Sequence, residues 1–228
     1  MRIDLNIPLS WQELTLDQLR DVVVATSGSM NKNEALIYLF CRFAGVKMAG
    51  KSLFATADGR KFRMEAWQLA DICKKLEYIF TDMPCDTVPP ISVNRHLVET
   101  SFDDYFYADS MILKFRQTQD VNDMLEAVKA LGDKRKSLDE IECGMMLIWW
   151  GGIQQWLKGE YPDVFSGGEG ESDGYNPFKT RQNIMLMLND NRPQDNERIG
   201  SSNMHDVLAA LDNKIKQAKE IERQMKKH

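Results

Sequence analysis

The chain has 228 residues, 43% of them apolar, and a formal net charge of −5. That apolar share is enough to bury a continuous core in one large domain or two small ones. The acidic balance disfavours a non-specific nucleic-acid binder, which needs a net basic face to displace counterions from phosphates.

No segment reaches the roughly 18 uninterrupted apolar residues that cross a bilayer. Even the run GMMLIWWGGIQQWL, residues 144 to 157, is broken by Gln154 and Gln155 and then meets Lys158. The start MRIDLNIPLS has no apolar signal-peptide core, so a cytoplasmic location is expected. Cys41, Cys73, Cys85 and Cys143 lie far apart with no CxxC spacing. Neither a zinc cage nor a disulfide framework is expected from them.

In chain order, Thr15 is the expected N-cap of a first helix over 16 to 26, with Gln18 closing a capping box and Leu14 and Leu19 forming a hydrophobic staple. Leu16, Leu19, Val22 and Val23 are then its buried stripe. A competing start at Ser10 with Glu13 gives a short preceding turn that carries Trp11. Asn33 is read as the cap of a second helix, which Gly45 closes in the left-handed C′ position.

Two short segments flanking Asp58-Gly59 predict a small two-stranded hairpin. A single helix with Trp67 on its apolar stripe is read over MEAWQLADICKKLEYIF. Pro84, Pro89 and Pro90 then mark a connector. The expected organisation is an N-terminal unit over 1 to 83, a connector over 84 to 100, and a helical unit over 101 to 228. The fold class is mainly α, a multi-helix globular bundle with one small β-hairpin.

In the C-terminal unit Ser101, Asp120, Ser137 and the Asn176-Pro177 pair are read as helix starts, with Gly132 closing the second of these helices. Gly151-Gly152 inside a long apolar helix predicts a kink or a close helix crossing. Residues 159 to 176 form a glycine-rich acidic loop, with five acids between Glu160 and Asp173. A last helix capped by Ser202 carries Met204, Val207, Leu208, Leu211 and Ile215. Beyond Ile215 its apolar stripe thins to Ile221 and Met225, in a basic tail with six bases against three acids from residue 212 onward.

Catalytic patterns are absent from the sequence. There is no GxSxG, GxxxxGK[ST] or GxGxxG. His96 and Glu99, three apart, make at most a polar pair, and one pair cannot complete a metal site of three or four ligands. Asp103-Asp104 read as first-turn partners of a helix dipole. No catalytic residue, metal ligand or cofactor site is assigned.

The residues singled out for partner binding are Trp11, Trp149, Trp150, Trp156, Met145 and Met146. Aromatic and methionine side chains are enriched at interfaces and also fill thick cores, so the cluster reads either way. Polar substitution at a surface tryptophan would weaken association while sparing the monomer.

The stretch IPLSWQELTLDQL, with Pro8, Trp11 and Thr15 in that order, resembles the start of tail assembly chaperone-type proteins of tailed bacteriophages. The resemblance implies a non-enzymatic protein that binds the long helical tape measure protein and tail tube subunits in the host cytoplasm. From the absence of cofactor motifs and of a spanning segment, no cofactor and no membrane partner are expected. A structural or connector protein forming a symmetric homo-oligomer is the second expectation, and an enzyme of an unrecognised helical family a distant third.

Overall fold

The computed structural model describes residues 7–48, 54–57, 60–165, 175–189 and 192–226. Among these the chain is mainly α, with eleven α-helices, two 3-10 turns and three short strands. No helix among them is long and apolar enough to cross a membrane. Two compact units are present: Met1–Pro90 with Gly144–Gly152, and Ile91–Cys143 with Ile153–His228.

The first unit opens with a 3-10 turn, Trp11–Glu13, which leads into α1, Leu16–Thr26. Both readings of the N-terminal stretch are therefore realised, one after the other. The Gln18 N–H donates to Thr15 Oγ1 at 3.3 Å, and the Thr15 N–H donates back to Gln18 Oε1 at 2.9 Å. Two helix-terminal donors are satisfied reciprocally, and Leu14 and Leu19 are buried on either side of the cap as a staple requires.

Leu16 does not join the buried stripe. It occupies the first helical position, and a helical side chain leans toward the N-terminus, so at this place it projects past the end of the helix into solvent. Asp21 is buried in its place, held by Arg42 Nε at 2.8 Å and the Tyr38 hydroxyl at 3.2 Å, both from the next helix. Burial, and then the Asp21 charge, raise the Tyr38 phenol above its ordinary value.

That next helix, α2 (Lys32–Phe43), is capped by Asn31 rather than Asn33. Starting two residues earlier places Glu34 at N3, where its carboxylate accepts the Asn31 N–H at 3.0 Å. Gly45 follows with φ +63°, the left-handed closure that a glycine adopts without a Cβ clash. Three strands come next: β1 (Lys47–Met48), β2 (Phe54–Ala57) and β3 (Arg60–Arg63), in the order β1-β2-β3. β2 and β3 pair antiparallel with Phe54 opposite Arg63 and Ala57 opposite Arg60, and β1 pairs antiparallel with β2. The Asp58-Gly59 pair itself lies outside the described residues.

The segment read as a single third helix is two: α3 (Ala66–Lys75) and α4 (Tyr78–Thr81). Trp67 is 70% exposed, not core. The side that turns inward carries Leu69, Ile72 and Leu76, spaced three and four apart, and Trp67 lies half a turn away from Leu76 on the helical wheel.

In the second unit, α5 (Phe102–Thr118) packs against α6 (Val121–Ala130); α5 buries Phe102, Tyr105 and Ile112, and α6 buries Met124, Ala127 and Val128. Ser101 and Asp120 cap them as the sequence predicts, and Gly132 closes α6 with φ +94°. α7 (Glu140–Glu160) is capped by Asp139, not Ser137. The Glu142 N–H donates to Asp139 Oδ1 at 2.7 Å and the Asp139 N–H to Glu142 Oε2 at 2.8 Å, a charged box stronger than a serine one.

The chain continues through α8 (Pro162–Phe165), α9 (Pro177–Leu188), a 3-10 turn (Pro193–Asp195), α10 (Asn196–Ser201) and α11 (Met204–Met225). Asn176 caps α9 with Pro177 at N1, as read from sequence. Ser202 ends α10 instead of starting α11, whose cap is Asn203. The reason lies in a backbone stitch. Phe102 N–H donates to Ser202 C=O at 2.9 Å and Met204 N–H to Thr100 C=O at 3.0 Å, which holds residue 202 in extended geometry beside the start of α5.

α7 runs unbroken through Gly151-Gly152. A Cβ added at Gly152 would meet Thr87 Oγ1 at 3.4 Å and the Asp86 nitrogen at 3.5 Å, so this glycine admits a close approach of the chain and Gly151 does not. A closer crossing lies at Gly144, where a Cβ would overlap the side chain of Val23 in α1.

Replacing Thr15 by alanine should lower stability by about 1 kcal/mol through loss of the cap; an unchanged chemical-denaturation midpoint would show that the box does not hold α1. Gly144→Ala should destabilise by about 1–3 kcal/mol despite the better helix propensity of alanine. In a double-mutant cycle with Val23→Ala the two changes should be strongly non-additive, and strict additivity would mean that the crossing is looser than described.

Candidate partner-binding surface

Of the six residues singled out for partner binding, five are core. Trp11, Met145, Met146, Trp149 and Trp150 are all buried, the two adjacent tryptophans almost completely. Trp149 and Trp150 meet edge to face at 6.0 Å, and Trp11 meets Tyr78 in the same way at 5.8 Å. Their large apolar area is removed from water inside the chain, so it is not a surface on which a partner docks. The Nε1 groups of Trp11 and Trp149 have no hydrogen-bond partner among the described residues.

Trp156 is the exception, half-buried in the second unit. His96 stacks on it with ring centres 4.4 Å apart and planes within 2°, and His205 meets it edge-on at 5.6 Å. His96 is therefore not one of a pair on a helix face. The chain there runs as successive turns, with Leu97 N–H on Asn94 C=O and Thr100 N–H on Leu97 C=O. His205 uses both ring nitrogens: Nε2 lies 2.7 Å from the His96 carbonyl oxygen and Nδ1 2.9 Å from the Tyr161 hydroxyl. A carbonyl only accepts, so Nε2 carries the proton and, in the neutral ring, Nδ1 accepts from Tyr161.

Cys143 offers little chemistry. Burial, followed by the carboxylates of Glu142, Asp139 and Glu140 at the start of α7, pushes its thiol up to about 11, far from a reactive thiolate at neutral pH. Among the described residues, no group of three or more His, Cys, Asp or Glu side chains could hold a metal ion. Asp103 and Asp104 lie in the first turn of α5 and diverge, Asp103 to Arg181 at 2.7 Å and Asp104 to the Ser101 hydroxyl at 2.6 Å.

A second polar cluster surrounds Asp109, a buried carboxylate on α5. It accepts from the Tyr175 hydroxyl at 2.5 Å and from Gln154 Nε2 at 3.2 Å, and the same amide donates to the Tyr105 hydroxyl at 2.8 Å. Burial and then the Asp109 charge raise both phenols well above the ordinary tyrosine value, so each keeps its proton. This cluster ties α5 and α7 to Tyr175, two residues before α9. It is a structural clamp.

Exposed apolar side chains occur at several places, among them Trp67, Met83, Phe178 and the far end of α11. Met204, Val207, Leu208 and Leu211 are buried, and Ile215 is partly covered. Beyond it every residue through Lys226 is exposed, including Ile221 at 54% and Met225 at 73%. The stripe itself does not stop: Met204, Leu211, Ala218 and Met225 recur every seven residues.

A polar row runs beside that stripe at Asp212, Lys216, Lys219, Arg223 and Lys226. Its first part is satisfied within the chain. Lys216 pairs with Asp212 at 2.6 Å, Asp212 accepts the Asp163 N–H at 3.2 Å, and Lys219 reaches Asp163 at 2.6 Å. This network fastens α8 along α11 as far as Lys219. The hydrogen bond from Lys219 holds the Asp163 carboxyl below its ordinary value. The residue-by-residue spacing of the row was present in the sequence as alternating 3 and 4 steps; that Asp163 would meet it was not.

Because the Asp163 value is depressed in the folded chain, its fastening is fully present above the unfolded carboxylate range near pH 4. It is lost as pH falls through the lower folded value. Thermal melts between pH 7 and pH 2 should therefore show a smaller acid loss for Asp163→Asn than for the unchanged chain, and parallel curves would mean that the pair is not linked to stability.

Compared with models of protein families, with curated proteins and with solved structures, the chain matches none.

Proposed function

We propose that this chain is a non-enzymatic tail assembly chaperone of a tailed bacteriophage, which holds the helical tape measure protein and recruits tail tube subunits. The observation that carries the reading is α11, a helix anchored over its first half and presenting an exposed apolar stripe over its second. A helical partner is held through anchors spaced three and four apart, and such a half-free helix supplies them. The resemblance of the stretch around Pro8, Trp11 and Thr15 supports the same reading. Here Trp11 lies under the entry to α1 against Tyr78, whose hydroxyl reaches the Pro8 carbonyl at 3.5 Å.

Affinity capture of the tagged chain from infected host cells, with mass spectrometry of the bound proteins and light scattering of the purified chain, tests the proposal. The expected result is recovery of a long heptad-rich tail protein by a chain that is itself a monomer or small oligomer. A large closed ring with no such partner would overturn it and make the chain a structural component of the particle.

A further inference from the structure

The charge of the chain is unevenly placed. From Arg42 to Arg63 the sequence has six bases, Arg42, Lys47, Lys51, Arg60, Lys61 and Arg63, against one acid, Asp58. The net charge of −5 is carried elsewhere, so the expectation against nucleic acid that the whole chain gives does not extend to this segment. Lys51 and Asp58 lie outside the described residues, and Arg42 is committed to Asp21. The strands β1, β2 and β3 themselves hold four bases and no acid.

Register decides which of these bases share a face. Lys47 of β1 stands opposite Thr56 of β2, and Thr56 stands opposite Lys61 of β3. Residues directly opposite one another belong to the same face of a sheet, as do residues two apart on a strand. Positions 47, 61 and 63 therefore belong to one face, together with Phe54 opposite Arg63, while Arg60 belongs to the other face with Met48, Ala55 and Phe62. Lys47 and Arg63 are exposed, so the basic face is the one turned to solvent. Strand geometry sets positions 61 and 63 about 7 Å apart and position 47 about 10 Å across from 61. One acid is near: Glu65 lies 3.7 Å from Arg63 Nε, a loose pair between two groups that are both more than half exposed.

Trp67 follows four residues after Arg63, in the first turn of α3, and is 70% exposed, whereas the other four tryptophans are buried or half-buried. At full extension four residues span about 14 Å, so the indole stays within the reach of two or three nucleotides of Arg63.

We infer that the face bearing Lys47, Lys61 and Arg63, together with Trp67, is a contact surface for single-stranded nucleic acid, bound without sequence preference. Three cations at strand spacing take phosphates of an extended strand, and the exposed indole takes an unpaired base on its face. A duplex keeps its bases inside the stack and offers Trp67 nothing. An acidic protein segment supplies carboxylates for the three bases but no planar partner for the indole. An anionic bilayer would receive Trp67 at headgroup level, but the positions beside it on α3 are Ala70 and the carboxylate of Asp71, paired with Lys75 at 2.8 Å, so no apolar companion enters with it. The site does not rest on the chaperone reading.

The probe is a fluorescein-labelled single strand of about 20 thymidines, followed by anisotropy with the full chain at about 0.15 M salt, where attraction beyond about 8 Å is screened. A dissociation constant of about 1 to 100 µM is expected, with a duplex of the same length bound about fivefold more weakly. Lys47→Gln with Arg63→Gln should weaken binding about tenfold and flatten the slope of log K against log salt by about 1.4, the share of two single-strand phosphate contacts. Lys61→Gln should weaken binding about threefold, and Arg60→Gln, on the opposite face, should leave it within about twofold. The strand should quench tryptophan emission. Trp67→Ala should lose about tenfold in affinity, whereas Trp67→Phe should keep the binding and lose the quench, because a ring remains to stack.

Polyglutamate bound as tightly as the strand would overturn the site in favour of an acidic protein partner. Association with vesicles containing phosphatidylserine, with a blue shift of Trp67 emission and no binding of the strand, would assign the surface to a membrane. Equal losses for Lys61→Gln and Arg60→Gln would mean that overall charge, not the register, attracts the strand. If Lys47→Gln with Arg63→Gln shifts the melting curve, the tryptophan readout still decides: a strand that binds the unchanged chain without quenching it lies elsewhere. Capture of a tape-measure-like protein reports on the chaperone reading alone, and neither result bears on the other.

Discussion

The second unit depends on one backbone stitch. The first N–H groups of an α-helix have no partner inside it, and here two helix starts solve that problem together. Phe102 N–H and Met204 N–H each donate across to the other segment, on Ser202 and Thr100 carbonyls. The pairing sets α5 and α11 off from one point. It fixes the position of Met204 and with it the stripe that buries Val207, Leu208 and Leu211. The side chain of Asn203 adds to it by accepting the His205 N–H at 2.8 Å and donating to the Val98 carbonyl. His205 is thereby brought to the His96 carbonyl and to Tyr161, so the aromatic group around Trp156 follows from the same stitch.

What was legible in the sequence was local. The capping box at Thr15, the cap at Ser101 and the Asn176-Pro177 start each involve groups within three residues of one another, so spacing alone reveals them. The misplacements have the same scale. Asn31 against Asn33, and Asp139 against Ser137, are competing caps two residues apart; Asn31 brings a carboxylate to N3 where Asn33 would bring Leu36, whereas Ser137 and Asp139 both have a glutamate at N3 and the realised cap is the one with a charged acceptor. Ser202 was misassigned for a non-local reason, since its backbone is claimed by α5. Trp67 shows how a periodic pattern admits two faces: α3 has apolar residues on more than one side, and only Leu76, buried beyond its end, marks which side is inward.

The surface was less legible than the fold. A dense run of tryptophan and methionine has the composition of an interface and of a core alike, and nothing in its own spacing decides between them. The groups that hold the unit together are of that kind too. Asp109 takes its partners from residues 154 and 175, and His205 reaches back to residue 96. No spacing rule connects such positions. The exposed end of α11 was legible because it depends on the thinning of one stripe within a single helix.

That stripe has a geometrical consequence. A straight α-helix turns 100° per residue, so positions seven apart fall about 20° short of two full turns. From Met204 to Met225 the seven-residue repeat passes through three such steps, and the apolar line winds by about 60° around the helix. At its start the line looks into the core of its own unit; at its end it looks in a different direction. A second helix following that line would have to wind left-handed around α11, leaving the track of the chain's own core as it went.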